Sequence, residues 1–333
     1  MDNNFITVRV PLRLSFFGGG SDIPNFYEKN QGSVISTAID KYIYVSVKKH
    51  GALFNENYRL NYSLNECEMD IKNIKNDIAR SIFLQYGMQH QKLYLSTIAD
   101  LPAQSGLGSS SSFAVGLHLA MSKLIGLGMP SKNDLAELAC RTEIEDLAHN
   151  IGKQDQYAAS YGSANLFRFH KNGDVETVNF DLIREMHIDE LLSKSILIWT
   201  NVQRSASQIL EKQKTNAKKN ELSIRKMVDL AEDFYPALAS DDFENIFIEY
   251  MRESWALKSK LTDATSNSYV DSLINFAIEN GADCCKLLGA GGGGFIFCYF
   301  SDYDKKQSFI SDNKLEIIEV KRSKSGAQLI GNA

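Results

Sequence analysis

The chain has 333 residues, 44% of them hydrophobic, enough to build one large domain or two ordinary ones with proper cores. Its 36 Lys and Arg against 41 Asp and Glu leave a formal net charge of −5, which argues against non-specific nucleic-acid binding. The five cysteines, at 67, 140, 284, 285 and 298, form no CxxC pair, and the six histidines form no HExxH, so neither a disulfide framework nor a zinc site is indicated and a reducing cytoplasm is expected. The start, Met1-Asp2-Asn3-Asn4-Phe5-Ile6-Thr7-Val8, lacks the basic stretch and long apolar core of a secretory leader. No apolar run approaches a membrane span, so no membrane partner is expected. Residues 5–10 read as a strand, followed by a glycine cluster at 18–20, and Tyr42 to Val47 alternates like a second strand. Residues 92–98 read as a third. After Pro102 and a Gly/Ser loop comes a helix with Phe113, Leu117, Ala120, Met121, Leu124 and Ile125 on one face, ended by Gly126 and Gly128. Ser131 is placed to cap the next helix, with Asp134 in its first turn and Leu135, Leu138, Ala139 and Thr142 facing inward. Residues 163–169 and 195–200 read as strands, 204–258 as mostly helical, and 268–280 as an amphipathic helix closed by Asn280-Gly281. The glycine run 289–294 leads into a buried strand at 295–299. Strands and helices mix without strict alternation, which predicts an α+β fold; the turn Lys171-Asn172-Gly173-Asp174 suggests two domains, 1–175 and 176–333.

The segment with the most chemical content runs from Leu101 to Ser112, Leu-Pro-Ala-Gln-Ser-Gly-Leu-Gly-Ser-Ser-Ser-Ser, between a strand and a helix. Glycines let backbone approach a ligand, the helix start offers unpaired N–H groups and a positive dipole end, and serine hydroxyls can donate to phosphate or ligate Mg²⁺. Spacing alone does not separate this from a well-capped Gly/Ser loop, and no Gly-Lys-Ser/Thr is present for a Walker A motif. Glu143 falls eight residues after Leu135 on the inward stripe, so it needs an ion-pair partner or a metal. Asp155, in Gly152-Lys-Gln-Asp-Gln-Tyr157, reads by spacing as a helix N-cap. Gly18-Gly19-Gly20 reads as a turn or as a close approach to substrate.

Three segments taken together resemble the GHMP kinase superfamily, in the family's order and over nearly the whole chain. They are Val10-Pro-Leu-Arg-Leu-Ser-Phe-Phe-Gly-Gly-Gly-Ser-Asp22, Pro102 to Ser110, and Lys286-Leu-Leu-Gly-Ala-Gly-Gly-Gly-Gly294. Gln104 stands where the family pattern has its first glycine, while Gly106-Leu-Gly-Ser-Ser110 is intact. The phrases Arg13 to Pro24, Gly152 to Ala159, Arg204-Ser-Ala-Ser207 and 286–294 are similar to the D-glycero-D-manno-heptose 7-phosphate kinase group of that superfamily, except that Cys284-Cys285 replaces expected small glycines. The resemblance implies a two-domain fold, with an N-terminal half like ribosomal protein S5 domain 2 and a ferredoxin-like C-terminal half. It also implies an ATP- and Mg²⁺-dependent kinase acting on the anomeric hydroxyl of a sugar phosphate. Residue by residue it implies Asp155 as catalytic base with Arg13 beside it. It implies Ser105, Gly106, Leu107, Gly108, Ser109, Ser110 and Ser111 around the ATP phosphates, and Ser110 and Glu143 as Mg²⁺ ligands. Gly19, Gly20, Ser21, Asp22, Gly291 and Gly292 are expected near the sugar, with Lys153 and Arg204 as candidates for its phosphate. A kinase for fucose or a hexose, a non-catalytic sugar and ATP sensor, and a diphosphomevalonate decarboxylase-like enzyme are the competing readings; a homodimer is left open.

Overall fold

The computed structural model describes residues 4–51, 53–203 and 217–332. Its spine is β1 (Phe5–Phe17), thirteen residues long. This strand runs straight through Pro11, where the expected strand stopped. The proline sits at a register shift between Pro11 and Leu12 against β2 (Gly32–Lys49), which is how a strand accommodates a residue that cannot donate to the ladder. The shift also lets β1 leave one core and enter another. Ile6, Val8 and Val10 pack with the N-terminal helices, whereas Leu12, Leu14, Phe16 and Phe17 pack with residues of the C-terminal half.

The large sheet has the order β12-β1-β2-β5-β3-β4, with β6 and β7 branching from the first half of β2. Its further strands are β3 (Tyr58–Asn61), β4 (Asn65–Glu68), β5 (Leu93–Ala99), β6 (Ala164–Phe169), β7 (Val175–Asn179) and β12 (Gln328–Asn332). In chain order, α1 is Pro24–Tyr27, α2 is Asp77–Gln85, α3 is Ser109–Leu124, α4 is Lys132–Cys140 and α5 is Gln154–Tyr161. Helix α3 was expected to show one apolar stripe. Instead every residue from Ser111 to Ser122 is buried, because sheet, α4 and α5 enclose it. Ser131 does cap α4, accepting from the Asp134 N–H at 3.1 Å.

The second half holds α6 (Leu182–Ser193), β8 (Ser195–Trp199), α7 (Ala217–Ala237), α8 (Phe243–Lys258), α9 (Ser268–Glu279), β9 (Cys284–Leu287), β10 (Phe295–Tyr299), α10 (Tyr303–Asp312) and β11 (Ile317–Ile318). Its antiparallel sheet has the order β11-β8-β10-β9, the 4-1-3-2 arrangement of a ferredoxin-like unit. Alternation along β10 sends Phe295, Phe297 and Tyr299 toward α7 and α8, and Ile296 and Cys298 toward α9 and α10.

The division at residue 175 needs correction. Residues 171–174 are the turn of the β6–β7 hairpin inside the large sheet, so a cut there would split paired strands. After Ile318 the chain returns, and β12 pairs with β1. The C-terminal unit is therefore an insertion, from Leu182 to Ile318, into a layer closed by the last strand.

Candidate active site

Arg13 is 4% exposed on β1 just past the register shift. Its Nε and Nη2 donate to the two carboxylate oxygens of Asp155 at 2.7 and 2.8 Å, and its Nη1 donates to the Gly106 carbonyl at 2.6 Å. This bidentate fork fixes both the carboxylate and the glycine loop. Asp155 is not the N-cap: Lys153 holds that position and Asp155 lies in the first turn of α5, where the helix dipole favours a carboxylate. Asp22 is buried against the same helix start. Its oxygens accept from the Gly20 N–H at 3.0 Å and the Gln154 N–H at 3.2 Å. Burial and the neighbouring charge of Asp155 push the Asp22 carboxyl up to about 6, against the pull of those backbone donors. Gly152 permits this approach, since a Cβ there would lie 1.9 Å from the Asp22 carboxylate.

Helix α3 begins behind Gly108, which is left-handed at φ 78° and has no side-chain cap to offer. Gly108, Ser109, Ser110 and Ser111 line the same cleft as Arg13, Asp22 and Asp155, so the helix start opens on it. Glu143 lies in a π-type turn, Arg141–Asp146, that continues α4. It is fully buried, yet borders the cleft. No ion pair to it exists among the described residues. Ser110 Oγ donates to it at 2.8 Å and Gln156 Nε2 at 2.7 Å. Burial raises its pKa, and hydrogen bonds from Ser111, Ser110 and Gln156 oppose the rise.

The glycine run supports the loop from behind. Gly289, at φ 65°, comes so close that a Cβ would be 2.5 Å from Gly106 Cα, and the Phe295 N–H donates to the Ser105 carbonyl at 3.2 Å. Gly289 and Ala290 border the cleft, whereas Gly291 packs on Thr265 and the Gly292 N–H donates to the Thr265 carbonyl at 2.9 Å. Other expectations also move. Ser21 is buried and exchanges hydrogen bonds with the backbone of Ser33, so its hydroxyl braces β2. Leu107 is a core side chain, and its carbonyl accepts from the Arg13 N–H at 3.0 Å. Ser105 is buried beneath the loop. Lys153 points to the far side of α5, donating to Glu137 at 3.1 Å and to the Gly173 carbonyl at 2.8 Å in a separate cleft. Arg204 lies outside the described residues.

Sequence reasoning missed two lysines that border the cleft, Lys258 at the end of α8 and Lys286 inside β9. Lys286 did leave a signal, a charge within the otherwise apolar strand Cys284-Cys285-Lys286-Leu287. Gln154, which accepts from Ser15 Oγ at 2.9 Å beside Gly19, was also missed.

A glycine-led helix start suited to phosphate, facing a buried carboxylate and an arginine-held aspartate, is compatible with a phosphoryl-transfer site. Residues 72–163 match the model of the GHMP kinase N-terminal domain and residues 234–314 that of the GHMP kinase C-terminal domain. A D-glycero-alpha-D-manno-heptose 7-phosphate kinase of Campylobacter jejuni is 33% identical over 319 residues, covering 92% of each chain. A bifunctional fucokinase/GDP-fucose pyrophosphorylase of Arabidopsis thaliana is 25% identical over 90% of this chain and 30% of its own length. A crystal structure of a D-glycero-D-manno-heptose 1-phosphate kinase from B. thetaiotaomicron superposes with a TM-score of 0.77 at 23% identity, covering 98% of this chain and 99% of the other. The chain belongs to the GHMP kinase family. It is an ATP-dependent sugar kinase, similar to the heptose phosphate kinases. Among the described residues no helix is long and apolar enough to cross a membrane.

Proposed function

We propose that this kinase transfers the γ-phosphoryl group of ATP to the anomeric hydroxyl of D-glycero-D-manno-heptose 7-phosphate. The product would be the 1,7-bisphosphate used to make nucleotide-activated heptose for surface polysaccharide. The observation that carries the reaction type is the Arg13–Asp155 pair beneath the glycine loop, at 2.7 and 2.8 Å. The 33% identical relative supports the sugar. In this reading Asp155 accepts the hydroxyl proton. Arg13 keeps that carboxylate ionised and oriented, while its third contact, to Gly106, sets the loop relative to the acceptor. The N–H groups at the start of α3 hold the β- and γ-phosphates. Asp22, Gly19 and Gly20 border the acceptor.

The residues present fit a magnesium ion. Glu143 and Ser110 offer hard oxygens, and the buried Gln156 Oε1 beside them has no hydrogen-bond partner among the described residues. Bound there by Ser110 and Glu143, the ion would neutralise charge on the phosphates.

A kinase for an unphosphorylated sugar is the second reading, supported by the 25% identical fucokinase. ATP turnover against a sugar panel with and without a terminal phosphate, with NMR of the product, separates the two. Asp155→Asn should lower kcat by about 10²–10⁴-fold while ATP still binds. Near-full activity in that variant would remove the proposed base.

A further inference from the structure

Two lysine amino groups border the cleft with no counter-ion among the described residues. Lys286 is 4% exposed in the middle of β9, and its Nζ donates to the Phe16 carbonyl at 2.5 Å and to Ser254 Oγ at 3.1 Å. Lys258, half-buried at the end of α8, donates to the carbonyls of Leu287 at 2.8 Å and Gly289 at 2.5 Å. All four acceptors are neutral. An ammonium has three donors, so each lysine keeps one for a further partner. Neither forms an ion pair among the described residues, and the other charge felt by Lys258 is that of Arg13, already matched by Asp155. Burial lowers Lys286 to about 7, and burial, Lys286 and Arg13 push Lys258 well below its ordinary value. Buried like charges of this kind are costly until an anion arrives.

We propose that Lys258 and Lys286 form the subsite for a phosphate group carried by the acceptor sugar itself. The inference rests on the reading that the acceptor is a sugar phosphate. The nucleotide's phosphates have their own cradle at the start of α3, on the N-terminal half. Both lysines belong to the C-terminal half. Lys286 is anchored to Phe16, just ahead of the turn that carries Gly19, Gly20 and Asp22, and Lys258, held at Leu287 and Gly289, borders the same cleft next to it. With the sugar's anomeric end at Asp155, its far end then meets two cations.

The test has two arms. In turnover, Lys258→Met and Lys286→Met should each lower kcat/KM for heptose 7-phosphate by about 10- to 100-fold, the worth of a charged hydrogen bond. Turnover of the dephosphorylated sugar should fall far less than that of heptose 7-phosphate in the same variants. Equal loss with both sugars would assign the lysines to the transferred phosphoryl group and overturn the proposal. In the second arm the nucleotide site is filled with a non-hydrolysable ATP analogue, and inorganic phosphate is titrated by calorimetry. Wild type should bind it, and the Met variants should not. Where a Met variant melts early, the Lys→Arg variant replaces it and should retain phosphate binding. Should wild type phosphorylate only uncharged sugars, the acceptor reading fails, and the titration alone decides the lysine pair. No phosphate uptake by analogue-loaded wild type would end the proposal.

Discussion

Asp22 illustrates how much one side chain's setting differs from its letter. Its carboxyl is pushed up to about 6 by burial and by Asp155, with the N–H groups of Gly20 and Gln154 pulling the other way. A carboxyl that holds its proton more tightly folded than unfolded loses stability as it ionises between pH 4 and 6, so its ionised form is maintained at some cost to the fold. In function the sign reverses. An ionised Asp22 can accept from sugar hydroxyls, and a protonated one is a poorer acceptor. The KM for the sugar should therefore be flat above pH 7 and rise below about pH 6, with KM for ATP unmoved; an acceptor KM constant down to pH 5 would count against the role. At this scale the sequence was informative where periodicity spoke. Glu143 was read as an inward carboxylate because it continues the Leu135 and Ala139 stripe. Lys153, a candidate for the sugar's phosphate, turns its side chain instead to Glu137 and the Gly173 carbonyl, a direction that its place in the chain does not reveal. Lys258 left no signal, being one charge among several along the helical stretch 204–258.

The glycine loop before α3 is shaped by a second glycine segment nearly two hundred residues away. Gly289 approaches Gly106 so closely that a methyl group would collide with backbone, and its left-handed φ adds strain for any other residue. Gly289→Ala should cost about 1–3 kcal/mol of stability and also raise the KM for ATP, because the phosphate loop must shift. Gly51→Ala, where a Cβ would have open space, should be near neutral. Thermal melts and ATP kinetics on both variants check this, and a Gly289→Ala enzyme with unchanged ATP KM would show that the contact does not shape the loop. The sequence marked both glycine segments, but not that one is the floor of the other, since no local pattern encodes a contact at that separation. Element ends suffered in the same way. The first strand was cut short at Pro11 because its partner's compensating register shift is invisible in the strand itself.

The whole molecule is held by β1. Its second half is packed by aromatic rings of the C-terminal unit, with Phe16 5.7 Å from Phe247 and 5.9 Å from Phe297, and Phe17 4.9 Å from Phe234. Its first half belongs to the other core. A strand shared in this way should make the two units unfold together. Calorimetry should show one transition, and two resolved peaks would refute the coupling. The α+β class and the order of motifs were legible because they depend on composition and local pattern. The domain division was not, because it depends on β12 crossing back to pair with the start of the chain. That return has a practical corollary. Ile6 sits opposite Asn332 on neighbouring strands, and Ile6 is about 23 Å of extended backbone from Arg13. A cleavage site opened in the exposed 171–174 turn should thus leave Arg13 and Asp155 in place, the two pieces staying zipped together through the sheet.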